Sequence, residues 1–155
     1  MKQSIWEYES KSELRDLVQN KRVVLAGGCF DLIHYGHFTF LNLARAEGEV
    51  LIVALESDAH IETYKSRKPI HTQHERAEIL AGLKCVDHVI LLPSFNSDEE
   101  YAELVRSMQP AVIAVSAPDP KISKKMQHAK IVGAVVVEVT PVIPQLGTRS
   151  ILDQN

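Results

Sequence analysis

Two periods of apolar and polar residues run along this chain. Residues 23–26 (Val-Val-Leu-Ala), 50–55 (Val-Leu-Ile-Val-Ala-Leu), 88–92, 111–115 and 131–139 are apolar runs of strand length. Continuous apolar runs of this kind predict strands buried on both faces rather than strands with one wet face. Between them the pattern changes to a helical spacing. Ser10 to Asn20 predicts an amphipathic helix with Leu14, Leu17 and Val18 on one face, and Phe38 to Glu47 predicts a helix that stops at Gly48. Ser57-Asp58-Ala59-His60 opens a short helix. Thr72-x-x-Glu75 and Ser97-x-x-Glu100 are capping boxes, the first starting a helix to about Leu83 and the second a helix ending before Pro110. The stretch from Tyr64 to Ile70 is basic, ends in Pro69-Ile70 and reads as a loop. Thr148 to Gln154 reads as a short terminal helix.

Strands and helices therefore alternate. The expected architecture is α/β, a Rossmann-like three-layer sandwich with a five-stranded parallel sheet covered by helices on both faces. The 155 residues suffice for one full core, so the reading is a single domain over 1–155 with residues 1–20 as an N-terminal helical leader. A net charge of -3 and a pI near 6.2 favour neither nucleic acid nor an anionic membrane surface as partner. No signal or transmembrane segment is expected. Cys29 and Cys85 lack metal-type spacing, which predicts reduced thiols and a cytoplasmic protein.

Candidate chemistry concentrates in residues 26–37, Ala-Gly-Gly-Cys-Phe-Asp-Leu-Ile-His-Tyr-Gly-His. This loop joins a predicted strand to a predicted helix N-terminus, where backbone N–H groups lack partners and the helix dipole favours anions. Gly27, Gly28 and Gly36 allow phosphate oxygens close to the main chain, and His34 and His37 add two imidazoles beside them. A triphosphate site is the reading. Two others compete on the residues alone: Asp31, His34 and His37 as metal ligands, and Cys29 as a nucleophile, for which no base is arranged. Cys29 is read as a small loop residue and Phe30 as core beneath the loop.

The spacing is also a signature. His34-Tyr35-Gly36-His37 resembles the HxGH element of the nucleotidyltransferase superfamily, and Gly28-Cys29-Phe30-Asp31-x-x-His34-x-Gly36-His37 resembles its cytidylyltransferase-like branch. The stretch Lys68 to Arg76, continuing through Leu80 to Val89, looks like that of bacterial heptose 1-phosphate adenylyltransferase domains, and the likeness spans roughly 20–152. It implies transfer of AMP or CMP from a nucleoside triphosphate to a small phosphorylated metabolite, with release of pyrophosphate. His34, His37 and Lys68 would be catalytic. Gly27, Gly28, Cys29, Phe30, Asp31, Gly36, Lys65, Arg76, Thr148 and Arg149 would bind nucleotide, Arg76 by steadying the site. Magnesium would arrive with the triphosphate, and no dedicated protein metal site is expected. The imidazoles are expected to meet phosphate with charge, and the protein to be a homodimer.

Two departures matter. In Gly147-Thr148-Arg149-Ser150-Ile151 only Thr148 and Ile151 match the family's phosphate-binding element. Val115 to Pro120 replaces a Lys-Gly-Gly-Asp string, which argues against a heptose as acceptor. Lys121-Ile122-Ser123-Lys124-Lys125 resembles the KMSKS element of class I aminoacyl-tRNA synthetases. It precedes the last apolar strand, however, and reads as a basic helix or loop. A non-catalytic nucleotide-binding regulator of the same fold is the alternative function. The sequence does not separate ATP from CTP.

Overall fold

Among the described residues every strand is parallel to its neighbours, in the order β1-β4-β3-β2-β5-β6. The computed structural model describes residues 4–141. The strands are β1 Ile5–Glu7, β2 Val23–Gly28, β3 Val50–Leu55, β4 His88–Leu91, β5 Val112–Ala117 and β6 Val135–Pro141. The helices are α1 Lys11–Val18, α2 Tyr35–Ala46, α3 Asp58–Lys65, α4 Gln73–Ala81, α5 Asp98–Met108 and α6 Ile122–Val132. The terminal helix expected over 148–154, with Thr148 and Arg149, lies outside the described residues.

The sheet has six strands rather than the expected five. Ile5–Glu7 pairs with β4 in the register Ile5 to Val89 and Glu7 to Leu91. A three-residue strand is too short to show a period, and only Trp6 in it is buried. The Trp6 indole donates to His88 Nδ1 at 3.2 Å, which fastens the edge strand to the sheet. The residues before α1 are thus part of the sheet as well as a helical leader. Leu17 is exposed while Leu14 and Val18 turn inward. Near the C-terminus the apolar run 131–139 splits. α6 continues to Val132, Gly133 takes the left-handed conformation at φ 72°, and the strand starts only at Val135. A left-handed residue after a helix is the usual place for glycine.

Alternate strand residues feed two cores. Val24, Ala26, Val53 and Leu55 pack with Phe40 and Leu41 of α2 and Leu80 of α4. Leu25, Ile52, Ala54 and Ile113 pack on the other face with Leu14 of α1, Val105 of α5 and Ala129 of α6. Burial on both faces is why the strand sequences are continuously apolar. From β2 the chain moves one way, to β3 and β4, and then returns to lay β5 and β6 on the other side of β2. Ligands in open parallel sheets lie beyond the carboxyl ends of strands at such a reversal. The 26–37 loop leaves the carboxyl end of β2.

Candidate active site

His34 is the N-cap of α2. Its backbone is extended, and its Nδ1 accepts from the Gly36 amide at 3.1 Å and, more weakly, from the His37 amide at 3.4 Å. An imidazole that accepts at Nδ1 carries its proton on Nε2. The cap therefore fixes the tautomer of His34 and leaves an N–H donor. The His37 ring stacks on it with centroids 3.8 Å apart. Burial, with the neighbouring His34 second, pushes the His37 pKa down to about 4, and burial also lowers that of His34. Both rings are neutral at pH 7. Burial opposes a charge on either ring, because the pocket removes the water a cation needs, and the cap leaves His34 with an Nε2–H donor.

Phe30 has a left-handed backbone, φ 47°, and is buried beneath the loop. A Cβ on Gly28 would lie 2.9 Å from the Phe30 ring, so the bare backbone of Gly28 is what lets Phe30 fold under it. The same ring meets His37 at 5.1 Å. Cys29 is half-buried, and burial pushes its thiol up, so it is protonated and unsuited to attack.

Asp31 and Arg76 are placed differently from a nucleotide contact. Asp31 is buried, and its carboxylate accepts from the Ile70 amide at 2.9 Å, the His71 amide at 3.1 Å and the Arg67 guanidinium. Burial pushes its carboxyl up, but these hydrogen bonds outweigh it and hold the group below the usual carboxylate range. Asp31 thus ties the signature loop to the loop before α4 and does not join the two histidines as a metal ligand. Among the described residues no group of three or more His, Cys, Asp or Glu is placed to hold a metal ion. The Arg76 guanidinium is wholly buried. It donates to the carbonyls of Cys29 (2.6 Å), Glu56 (2.9 Å) and His71 (3.1 Å), and pairs with Asp58 at 2.6 Å. It ties these segments together beneath the loop, with no exposed surface of its own.

Two cavities meet over the end of β2. One, about 340 Å³, lies against α2 and is lined by His34, Gly36 and His37 on one side and by Ser116, Asp119 and Thr140 on the other. The second, about 490 Å³, lies on the opposite side of the sheet, against α5 and α6. Gly27, Gly28, Cys29, Ala114 and Lys125 line both. Lys68 is exposed and lines neither cavity. Lys65 is exposed too, but its charge bears on Cys29, His37 and His60.

The lysines that reach the cavities are Lys121, Lys124 and Lys125, from the basic string that opens α6. Asp119 accepts from the Lys121 amide at 2.8 Å and holds Lys125 Nζ at 2.5 Å, aiming it at the junction. In the sequence this string precedes the last apolar strand, an order that gives no sign of its lying at the site. Its position at the start of α6, beyond the end of β5, is what brings it to the site.

Residues 25–151 match the cytidylyltransferase-like family. The bifunctional protein HldE of Helicobacter hepaticus is 46% identical over 101 residues, 64% of this chain and 20% of that protein. HldE of Wolinella succinogenes is 35% identical over 133 residues, 85% of this chain and 26% of that protein. The chain thus spans about a quarter or less of the curated relatives it matches. Among solved structures, the lipopolysaccharide core biosynthesis protein from Thermoplasma volcanium aligns with a TM-score of 0.64 at 23% identity, covering 79% of this chain and 97% of that one. The pantoate-beta-alanine ligase of Francisella tularensis, complexed with beta-gamma ATP and beta-alanine, aligns at 0.69 and 14% identity, covering 99% of this chain and 74% of that one. Likeness at those identities establishes a shared fold. The family match and the HldE relatives go further, and with the signature loop lying where this fold puts a ligand, the chain belongs to the cytidylyltransferase-like family of nucleotidyltransferases, near HldE.

Proposed function

We propose that this chain transfers a nucleoside monophosphate from ATP or CTP to a small phosphorylated acceptor. The observation that carries this reading is the pair of cavities sharing Gly27, Gly28, Cys29 and Lys125. The triphosphate occupies the cavity against α2, and the acceptor phosphate enters from the other side. The two meet where glycine backbone, the Cys29 thiol, Ala114 and Lys125 intervene. The acceptor phosphate, already ionised at neutral pH, attacks the α-phosphorus in line, and pyrophosphate leaves. No protein nucleophile is needed, so catalysis is positioning and stabilisation of charge on the phosphate oxygens.

Each group has a part in this scheme. The His34 Nε2–H donates to the triphosphate at the N-terminal end of α2, where the Gly36 and His37 amides hold the His34 ring in place and the His37 ring stacks on it. Lys125 supplies positive charge at the reacting centre in place of Lys68, and Lys65 adds charge from the rim. Asp31, Arg67 and Arg76 are positioning residues that hold the loops. Thr148 and Arg149, which the resemblance assigns to the nucleotide, lie outside the described residues. Magnesium would come in on the triphosphate, ligated by its oxygens and water, and would neutralise phosphate charge.

The test is thermal stabilisation by ATP, CTP, GTP and UTP, with and without magnesium. A ligand bound only by the folded state raises the melting temperature by mass action. At least one triphosphate is expected to do so in the parent and to fail with Gly36→Val. A folded Gly36→Val protein that binds nucleotide as the parent does would overturn the placement.

A further inference from the structure

A carboxylate stands in the wall of the cavity read as the triphosphate site. Asp119 lines the 340 Å³ cavity across from His34 and His37, and its side chain is 12% exposed. By itself it would repel the phosphates. Both of its oxygens are engaged, however. Oδ1 accepts from the Lys121 amide at 2.8 Å, where α6 begins, and Oδ2 accepts from Lys125 Nζ at 2.5 Å. The amide belongs to the main chain, so the carboxylate is anchored and the lysine is the mobile partner. Lys121 and Lys124 line the 490 Å³ cavity, whereas Lys125 lines both. Lys121 Nζ lies over the Tyr64 ring at 5.8 Å, and His128, one turn beyond Lys125, meets Asp98 at 3.1 Å. Those neighbours of Lys125 on α6 are thus turned to other partners, and the Asp119–Lys125 pair sets the charge at the junction.

We propose, resting on the reading above of Lys125 at the reacting centre, that Asp119 is a positioning residue that keeps the Lys125 ammonium at the junction and out of ground-state contact with the triphosphate. A lysine is a compact charge on a flexible four-carbon stem. Left free in this cavity it would follow the outer phosphates, where negative charge is densest, and tighten binding of the substrate. Binding gained equally by substrate and transition state does not raise kcat, whereas charge held where negative charge develops does. Asp119 supplies that restraint. Its carboxylate occupies Lys125 before the reaction, so the ammonium is already at the junction when the acceptor attacks. The same carboxylate makes the cavity less attractive to a triphosphate than Lys125 alone would. No bond to Asp119 forms or breaks, and it moves no proton.

Affinity and turnover should then move in opposite directions when Asp119 is replaced. Asp119→Asn and Asp119→Ser each keep an oxygen for the Lys121 amide, but neither holds an ammonium by charge. Dissociation constants for ATP and CTP with magnesium are measured by calorimetry. Turnover is measured as pyrophosphate release with hexose 1-phosphates, glycerol 3-phosphate and flavin mononucleotide as acceptors. Both variants are expected to bind the triphosphate about threefold tighter and to lose roughly 10–10²-fold in kcat. Lys125→Ala should cost more affinity in the Asp119→Asn background than in the parent, because there the ammonium is free to reach the phosphates. In kcat the double variant should fall no lower than Lys125→Ala alone. An Asp119 that merely supports the fold would weaken binding and turnover together, and its loss would add to that of Lys125. Weaker triphosphate binding in both folded variants, unchanged kcat, or additive losses in the double variant overturns the proposal. A parent that a triphosphate stabilises but that turns over none of these acceptors, or a Lys125→Ala protein as active as the parent, overturns the reading on which it rests, and the proposal with it.

Discussion

Arg76 donates to the main-chain carbonyl of Cys29 across 2.6 Å, from a guanidinium with no exposed surface. This bond joins α4 to the loop that forms the junction of the two cavities. With the bonds to Glu56, His71 and Asp58 it makes Arg76 the common support of three segments around the site.

Removing that support strands several acceptors. Arg76→Met keeps the bulk but leaves three carbonyls and the Asp58 carboxylate without their donor. The Asp58 carboxylate is 40% exposed and regains water, so the cost is that of the stranded buried carbonyls, about 1–3 kcal/mol. Urea unfolding should show a loss of that size. A loss under 1 kcal/mol would mean that water or relaxation replaces the guanidinium. Arg76→Lys should also be destabilised, since an ammonium cannot serve the same fork of partners.

The Asp31 carboxylate is a separate tether. Asp31→Asn weakens three acceptor contacts at once: those from the Ile70 and Arg67 N–H groups and that from the His71 amide. Amide exchange at Ile70 and His71 should quicken by at least about tenfold, because local opening no longer breaks charge-assisted hydrogen bonds. Unchanged protection at both amides would remove Asp31 from this role.

The depressed His37 pKa makes stability depend on pH. In the unfolded chain the ring titrates near 6.5, and in the native protein near 4. Between these values the unfolded state binds more protons, so stability falls as the pH drops from 6.5 toward 4 and is flat above 6.5 on this account. The full contribution is about 3 kcal/mol. Asp31, held below the usual carboxylate range, adds a further loss only in stronger acid. Denaturant unfolding of the parent should be clearly weaker at pH 4.5 than at pH 7, and His37→Asn should flatten that difference. An unchanged difference in the variant would assign it to other groups.

Much of this was legible in the sequence, for reasons visible in particular residues. Thr72 and Glu75 form the reciprocal cap their spacing predicts, with Glu75 accepting from the Thr72 amide at 2.9 Å and the Thr72 hydroxyl from the Glu75 amide at 3.3 Å. Such contacts are local, so the spacing suffices. β1 was not legible, since three residues show no period and its pairing with β4 is a contact across more than eighty residues. In the site, the glycines and histidines of 26–37 stand where the strand-loop-helix pattern put them. The neutrality of His37 depends on burial by the fold, which no local pattern reveals. The same holds for Lys68 against Lys125. Both lie in basic strings, and only the packing of α6 at the end of β5 brings the second one in.

That contrast gives a kinetic expectation. Lys125→Ala should lower kcat by about 10²–10³, the usual size for losing one group aimed at transition-state charge, with a smaller change in nucleotide affinity. Lys68→Ala should stay within a few-fold of the parent. The reverse order, measured by pyrophosphate release, would return the catalytic role to the loop before α4.

The central claim is that one phosphate meets another over Gly27, Gly28 and Cys29. Phosphorus NMR of a mixture of protein, magnesium, ATP or CTP and the same panel of phosphorylated acceptors tests it most directly. The expected spectrum gains free pyrophosphate and, in equal amount, the two coupled resonances of a diphosphate bridging nucleoside and acceptor. Inorganic phosphate with nucleoside diphosphate, or a triphosphate unchanged in protein that demonstrably binds it, would contradict the account.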